Sequence, residues 1–233
     1  AAIGAWAADT DSYINNGAVY IFSRTGDTWT QIYKEHGPPA NNAYFGKSVA
    51  IKNNTLFVGA PGVNSNQGAV YTYTTADAGS TWATGLSYSS VTGTSSNSIF
   101  GETLAVATEG DNTHPDMTLV VGAPGDSSSR GAVFTIDNDI GDWTSASAAT
   151  VTTTKLTGQY DSAGDQYGSS IDILDGKLVV GVPYSDFNGL EAGLVYHYYY
   201  NTTNATWTED GIIQQNDPSN YDHYGNSVSL STT

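Results

Sequence analysis

One phrase recurs four times along this chain. "LFVGAPGVNSNQGAVYTY" from Leu56 returns as "IGAWAADTDSYINNGAVYIF" from Ile3, "LVVGAPGDSSSRGAVFTI" from Leu119 and "LVVGVPYSDFNGLEAGLVYHY" from Leu178. An aromatic-Gly phrase stands before three of the four: "YFGKSVAI" from Tyr44, "IFGETLAV" from Ile99 and "QYGSSIDI" from Gln166. A tryptophan followed by a polar run stands after each, at Trp29, Trp82, Trp143 and Trp207. Such self-similarity means copies of one supersecondary unit, none of which can bury its apolar face alone, stacked on one another.

The unit reads as strands. "SVAI" and "VYTY" alternate with period two, are rich in β-branched and aromatic residues, and are bounded by Gly, Asn and Asp turns. "LFVG" and "LVVG" are continuous apolar runs, as expected of a strand covered on both faces, and the Gly and Pro behind them stop the ladder. The connectors "KNNT" and "LDGK" carry hairpin chemistry, since Asn-Asn and Asp-Gly tolerate the positive φ that a tight turn demands. Four hairpin-joined strands per repeat make a meandering antiparallel sheet.

The expected fold is an all-β propeller of four blades with four antiparallel strands each, the low end of the propeller range. The aromatic-Gly glycines fall at Gly46, Gly101, Gly168 and Gly225, so four blades use residues 1–233 as one domain. Blade 1 takes 1–43 plus 222–233, blade 2 44–98, blade 3 99–165 and blade 4 166–221. The chain opens at a second strand, "AAIGAW", and closes on a lone first strand, "HYGNSVSLSTT". Pairing of 225–231 beside "AIGAW" would close the ring and remove two open sheet edges. A straight array, or half of an eight-bladed ring made by two chains, satisfies the same repeats.

"YFGKSVAI…LFVGAPG…GAVYTY" resembles the FG-GAP repeat of integrin α-chain propellers and of many secreted microbial and protist proteins. The resemblance covers essentially the whole chain. It implies a β-propeller, generally extracellular and commonly engaged in adhesion or in protein and glycan binding.

Composition narrows the partners. Seven Lys and Arg against 23 Asp and Glu leave a net charge of −16, a surface that repels nucleic acid and anionic lipid. The cations are too few and scattered for a phosphate-tracking stripe, so no nucleic-acid partner is expected. Cysteine is absent, which excludes disulfides, thiolate metal sites and a cysteine nucleophile. No apolar stretch approaches the roughly 20 residues that cross a bilayer, so no membrane insertion is expected. N-x-[ST] sequons at Asn53, Asn201 and Asn204 lie in turns, and with the acidic, lysine-poor composition they point to a secreted or cell-surface glycoprotein. The start at Ala1 fits a processed chain.

FG-GAP repeats often hold calcium in an acidic loop between their first two strands, which the resemblance would place here. Two of these loops are the short hairpins already quoted, with too few carboxylates for a cation that needs six or more oxygens. The third, "ATEGDNTHPDMT", is longer and offers Glu109, Asp111, Asn112, Thr113 and Asp116. The loops after the G-A-P phrase hold Asp9 and Asp11, Asp126, and Asp186, Asn188 and Glu191; of these Asp186 and Asn188 join the candidate calcium set. Asp and Asn are also ordinary turn formers, and that reading is the better one for these loops.

Catalytic signatures are scarce. "TADAGSTW" from Thr75 is close to the Asp box of sialidases, a turn device, but a sialidase site needs three arginines and only Arg24 and Arg130 exist. His36, His114, His197 and His223 show no metal-binding spacing, and no G-x-S-x-G elbow occurs. No feature singles out a carboxylate pair for glycoside hydrolysis. Aromatics are the remaining resource. In the run from Tyr196 to Tyr200 strand alternation sends about half outward, and Tyr198 and Tyr200 are candidates to stack on a sugar or anchor a partner.

The resulting expectation is a non-catalytic extracellular module for adhesion, protein or glycan binding, or self-assembly. The alternative is a glycan-active enzyme or a dedicated lectin.

Overall fold

The computed structural model describes residues 1–75, 83–88, 96–107, 117–138, 143 and 151–232. Its strands fall into four antiparallel sheets, one for each copy of the repeat. The first holds β1 (Ala2–Ala5), β2 (Ala18–Thr25) and β3 (Thr28–His36). The second holds β4 (Val49–Lys52), β5 (Thr55–Ala60), β6 (Ala69–Thr74) and β7 (Ala83–Tyr88). The third holds β8 (Thr103–Ala107), β9 (Thr118–Ala123), β10 (Ala132–Asn138) and β11 (Val151–Leu156). The fourth holds β12 (Ser170–Leu174), β13 (Lys177–Val182), β14 (Leu194–Asn201) and β15 (Thr206–Ile213). Each sheet is a meander in chain order, as blades of a propeller are.

The local causes are those read in the sequence. The continuous apolar runs become β5, β9 and β13, each second in its meander; β5 and β9 are buried at every position and β13 at all but Lys177. The β4–β5 turn has Asn53 at φ 51°, and the β12–β13 turn has Asp175 at 49° followed by Gly176 at 67°, the positive angles that short hairpins require.

The aromatic-Gly phrase has a second job. Besides leading into its own sheet, it pairs with the preceding repeat, through parallel bridges Gly17 to Phe45, Gly68 to Phe100, Gly131 to Tyr167 and Gly193 to Tyr224. In the first repeat the carbonyls of Ile14, Asn15 and Asn16 receive the N–H groups of Asn42, Tyr44 and Phe45; in the fourth, those of Leu190, Glu191 and Ala192 receive Tyr221, His223 and Tyr224. These stitches pair backbone groups of the loop with those of the next phrase.

Glycine makes the stitch possible. A Cβ on Gly59, the Gly of G-A-P, would lie 2.1 Å from the Gly101 carbonyl oxygen. The same carbonyl accepts a hydrogen bond from Ser48 Oγ at 2.7 Å, and Ser170 Oγ does likewise to Gly225 at 2.6 Å. The G of G-A-P therefore serves a close approach between successive repeats as well as a strand exit.

The chain divides into two compact units, Ala1–Leu104 with Asp142–Ala149, and Ala105–Gly141 with Thr150–Thr233. The core of the first gathers Val19, Ile21, Phe45, Leu56, Val58 and Tyr73; that of the second gathers Val120, Val133, Tyr167, Leu178, Tyr196 and Trp207.

One expectation needs correction. Residues 225–231 form no strand, and among the described residues β1 has β2 as its one strand neighbour. The reason lies in the stitch: Tyr224 is bridged to Gly193, and beyond it the Leu230 N–H donates to Asp172 Oδ2 at 2.7 Å, which ties this segment to the fourth sheet. The loops after G-A-P in the second and third repeats also hold an unforeseen shape. Asn64, Ser65 and Asn66, and likewise Ser127, Ser128 and Ser129, run in succession at φ between 53° and 63°, a left-handed turn that L-residues seldom sustain.

Candidate functional site

In the first unit the G-A-P phrase of the first repeat departs from pattern: where the others place Pro61, Pro124 and Pro183, it places Trp6. No proline there fixes the chain. Instead an indole, 45% exposed, stands over the neighbouring aromatic-Gly phrase. It meets Tyr44 edge-on, with centroids 5.6 Å apart and planes at 70°. The Lys47 ammonium lies 5.0 Å from the indole centroid and 3.2 Å from Glu102 Oε1. Pro61, Gly62, Asn66 and Ile99 complete a cleft of about 300 Å³, at the small end of the range for ligand pockets.

Repeat register assembles this group. Tyr44 and Ile99 each precede the aromatic of their phrase, and Lys47 and Glu102 each follow its glycine, so two copies of one motif face each other with a basic and an acidic residue at matching positions. Tyr44 has φ 54° and Ile99 φ 47°. For a β-branched residue the latter is a costly conformation; the equivalent Gln166 and His223 stand at 59° and 51°, so the repeat itself imposes it. Asn66 is held by the left-handed turn, its Nδ2 donating to Asn97 Oδ1 at 3.3 Å. The sequence carried a signal for the cleft that motif reading passed over, the tryptophan in a proline's place.

Other anticipated residues behave differently. Tyr198 is buried and Tyr200 half-buried, so neither offers an open stacking face. They share a face of β14 with Leu194 and Tyr196, turned onto the core; the Tyr198 hydroxyl is 2.8 Å from that of Tyr167, and Tyr200 packs on Trp207 at 5.4 Å. The exposed ring of the run is Tyr199. Glu109, Asp111, Thr113 and Asp116 lie outside the described residues, as does most of "TADAGSTW".

Asp186 builds its loop by accepting the Glu191 N–H at 2.8 Å, as Asp9 accepts the Asn15 N–H at 2.7 Å. Asn188 donates to Gln214. Among the described residues no three His, Cys, Asp or Glu side chains converge on one point. The buried Asp126 is paired with Lys155 Nζ at 2.8 Å. The sequon residues Asn53 and Asn204 are exposed and Asn201 is half-buried; Asn204 Oδ1 accepts the Thr206 hydroxyl at 2.7 Å.

Asp161, in the second unit, is buried, and that burial raises its pKa to about 6 against the pull of the Gly158 N–H and the Tyr196 hydroxyl, with the Asp165 charge adding to the rise and Arg130 opposing it. Its Oδ2 accepts the Gly158 N–H at 2.8 Å, and Asp165 accepts the Ser162 N–H at 2.9 Å. Both carboxyls thus shape the loop that leads into Tyr167.

The FG-GAP repeat family matches residues 39–73 and 151–198, the first spanning Tyr44 to the end of β6 and the second spanning β11 to β14. The chain carries FG-GAP repeats in these two stretches. No curated protein matches it. The Trp6 cleft is lined by the first two aromatic-Gly phrases and by the G-A-P phrases of the first two repeats. Among the described residues no helix is long and apolar enough to cross a membrane.

Proposed function

We propose that this FG-GAP repeat protein is a non-catalytic, extracellular or cell-surface module that binds a protein or glycan partner, its four sheets serving as blades of one propeller. The observation that carries the reading is the Trp6 cleft, with an exposed indole, a tyrosine edge and an ion pair in one recess. Its two charged groups, Lys47 and Glu102, are held to each other as an ion pair. The sequons support the extracellular placement: Asn53 and Asn204 are exposed in turns.

Beads coated with the protein should adhere to one or more members of a panel of matrix proteins and immobilised glycans, and Trp6→Ala should weaken that adhesion. A panel of chromogenic glycosides should show no turnover. Robust hydrolysis of any of them would replace this reading with that of a glycan-active enzyme, for which the raised Asp161 is the one favourable observation. Expression in a secreting host followed by N-glycosidase digestion should lower the mass through Asn53, Asn201 or Asn204. An unchanged mass would remove the glycoprotein part of the proposal.

A further inference from the structure

We infer that the Trp6 cleft is a binding site for a single neutral pyranose residue, an inference that rests on the binding-module reading and names its ligand class. Three classes of guest can use an indole in a polar recess: a cation over the ring, an anion on the lysine, and a sugar with its C–H face on the ring. The cleft's own charges decide among them.

A cationic guest would find its place taken. The Lys47 ammonium already lies 5.0 Å from the Trp6 ring and 3.2 Å from Glu102, so it meets both attractions that the cleft could offer a cation. An anionic guest would need Lys47 free. It would have to break the pair with Glu102, leave that carboxylate uncompensated, and approach a chain of net charge −16.

A neutral pyranose needs neither step. Its apolar face needs only the part of Trp6 that Lys47 leaves exposed, while its hydroxyls both donate and accept hydrogen bonds, so Glu102 can accept from one hydroxyl and Lys47 and Asn66 can donate to others with the ion pair intact. The edge-on Tyr44 fixes the indole plane, which lowers the entropy lost on stacking. A recess of about 300 Å³ suits one ring, with Pro61 and Ile99 as its apolar walls.

The test titrates the intact protein with methyl glycosides of neutral hexoses and of N-acetylhexosamines, read by ligand-observed saturation-transfer NMR and by tryptophan emission. At least one should bind, with half-saturation near ~1 mM as expected of a single-ring contact. Trp6→Ala should weaken it more than about tenfold and Glu102→Gln about tenfold, each a loss of an anchoring contact. Trp29→Ala, at an exposed indole elsewhere in the unit, should leave it unchanged. Melting curves matching the parent confirm that the variants fold, and competition for the parent's saturation signal supplies a readout independent of any one variant. The inference is overturned if none of these glycosides binds, if a sialoside, a uronide or a lysine-rich peptide binds better, or if Trp29→Ala and not Trp6→Ala abolishes binding. Adhesion to a matrix protein that persists without sugar binding would sink this inference and leave the module reading standing.

Discussion

At the residue scale, two positions carry testable costs. Ile99 holds φ 47°, where a β-branched side chain is least at ease and asparagine is tolerated. Ile99→Asn should therefore raise stability by about 1 kcal/mol while altering the wall of the Trp6 cleft; a fall in the denaturant midpoint would show that its packing outweighs its strain. Gly59 is the opposite case, with no room to spare. Gly59→Ala would set a methyl 2.1 Å from the Gly101 carbonyl oxygen, backbone that cannot swing away, and should cost more than about 3 kcal/mol in urea unfolding.

At the scale of elements, the loop from Gly158 to Asp165 links pH to stability. The Asp161 pKa rises from 3.8 to about 6 on folding, chiefly through burial. The folded state then binds the proton more tightly than the unfolded one, so stability from this group is full below the unfolded value and is lost as pH rises through about 6. Asp161→Asn keeps an oxygen for the Gly158 N–H and removes the buried charge. It should raise the melting temperature at pH 7, by an amount equivalent to at most about 3 kcal/mol, and the difference should vanish near pH 3.5. Equal melting at pH 7 would show that the loop relaxes around the ionised group.

How much of these elements could be read in advance depends on where their partners lie. The runs that became β5, β9 and β13 were legible because composition and bounding turns are local properties, and the Asn53 and Asp175 turns because positive φ selects residue types. The stitch was not, since which carbonyl receives Phe45 or Tyr224 depends on a neighbour a whole loop away. The phase of β14 escaped for a related reason: alternation divides Tyr196 to Tyr200 into two faces, yet only Tyr167 and Trp207, arriving from elsewhere in the chain, decide which face is covered. Trp6 stood in plain view as a break in pattern, but its meaning needed Tyr44, Lys47 and Glu102 beside it.

At the scale of the whole molecule, a net charge of −16 makes the folded state repel itself. Raising the salt from about 0.01 M to about 0.15 M shortens the screening length roughly from 30 Å to 8 Å and should raise the melting temperature; no change would mean that the charges are already balanced locally. Removing residues 222–233 strips the bridge from Tyr224 to Gly193 and the bond from Leu230 to Asp172, so the truncated chain should aggregate or melt well below the parent. A monomeric truncation of parental stability would show that the last stitch is dispensable.

That stitch also has a direction in time. In every repeat the receiving carbonyls precede, along the chain, the aromatic-Gly phrase that occupies them. As the chain leaves the ribosome N-terminus first, each sheet emerges with an open row of acceptors, and the next phrase to emerge is the one that fills it. Closure can therefore run in chain order, each stitch made by the newest segment upon the sheet just completed, and a pause in synthesis placed before any aromatic-Gly phrase would then hold the preceding sheet unlatched for as long as the pause lasts.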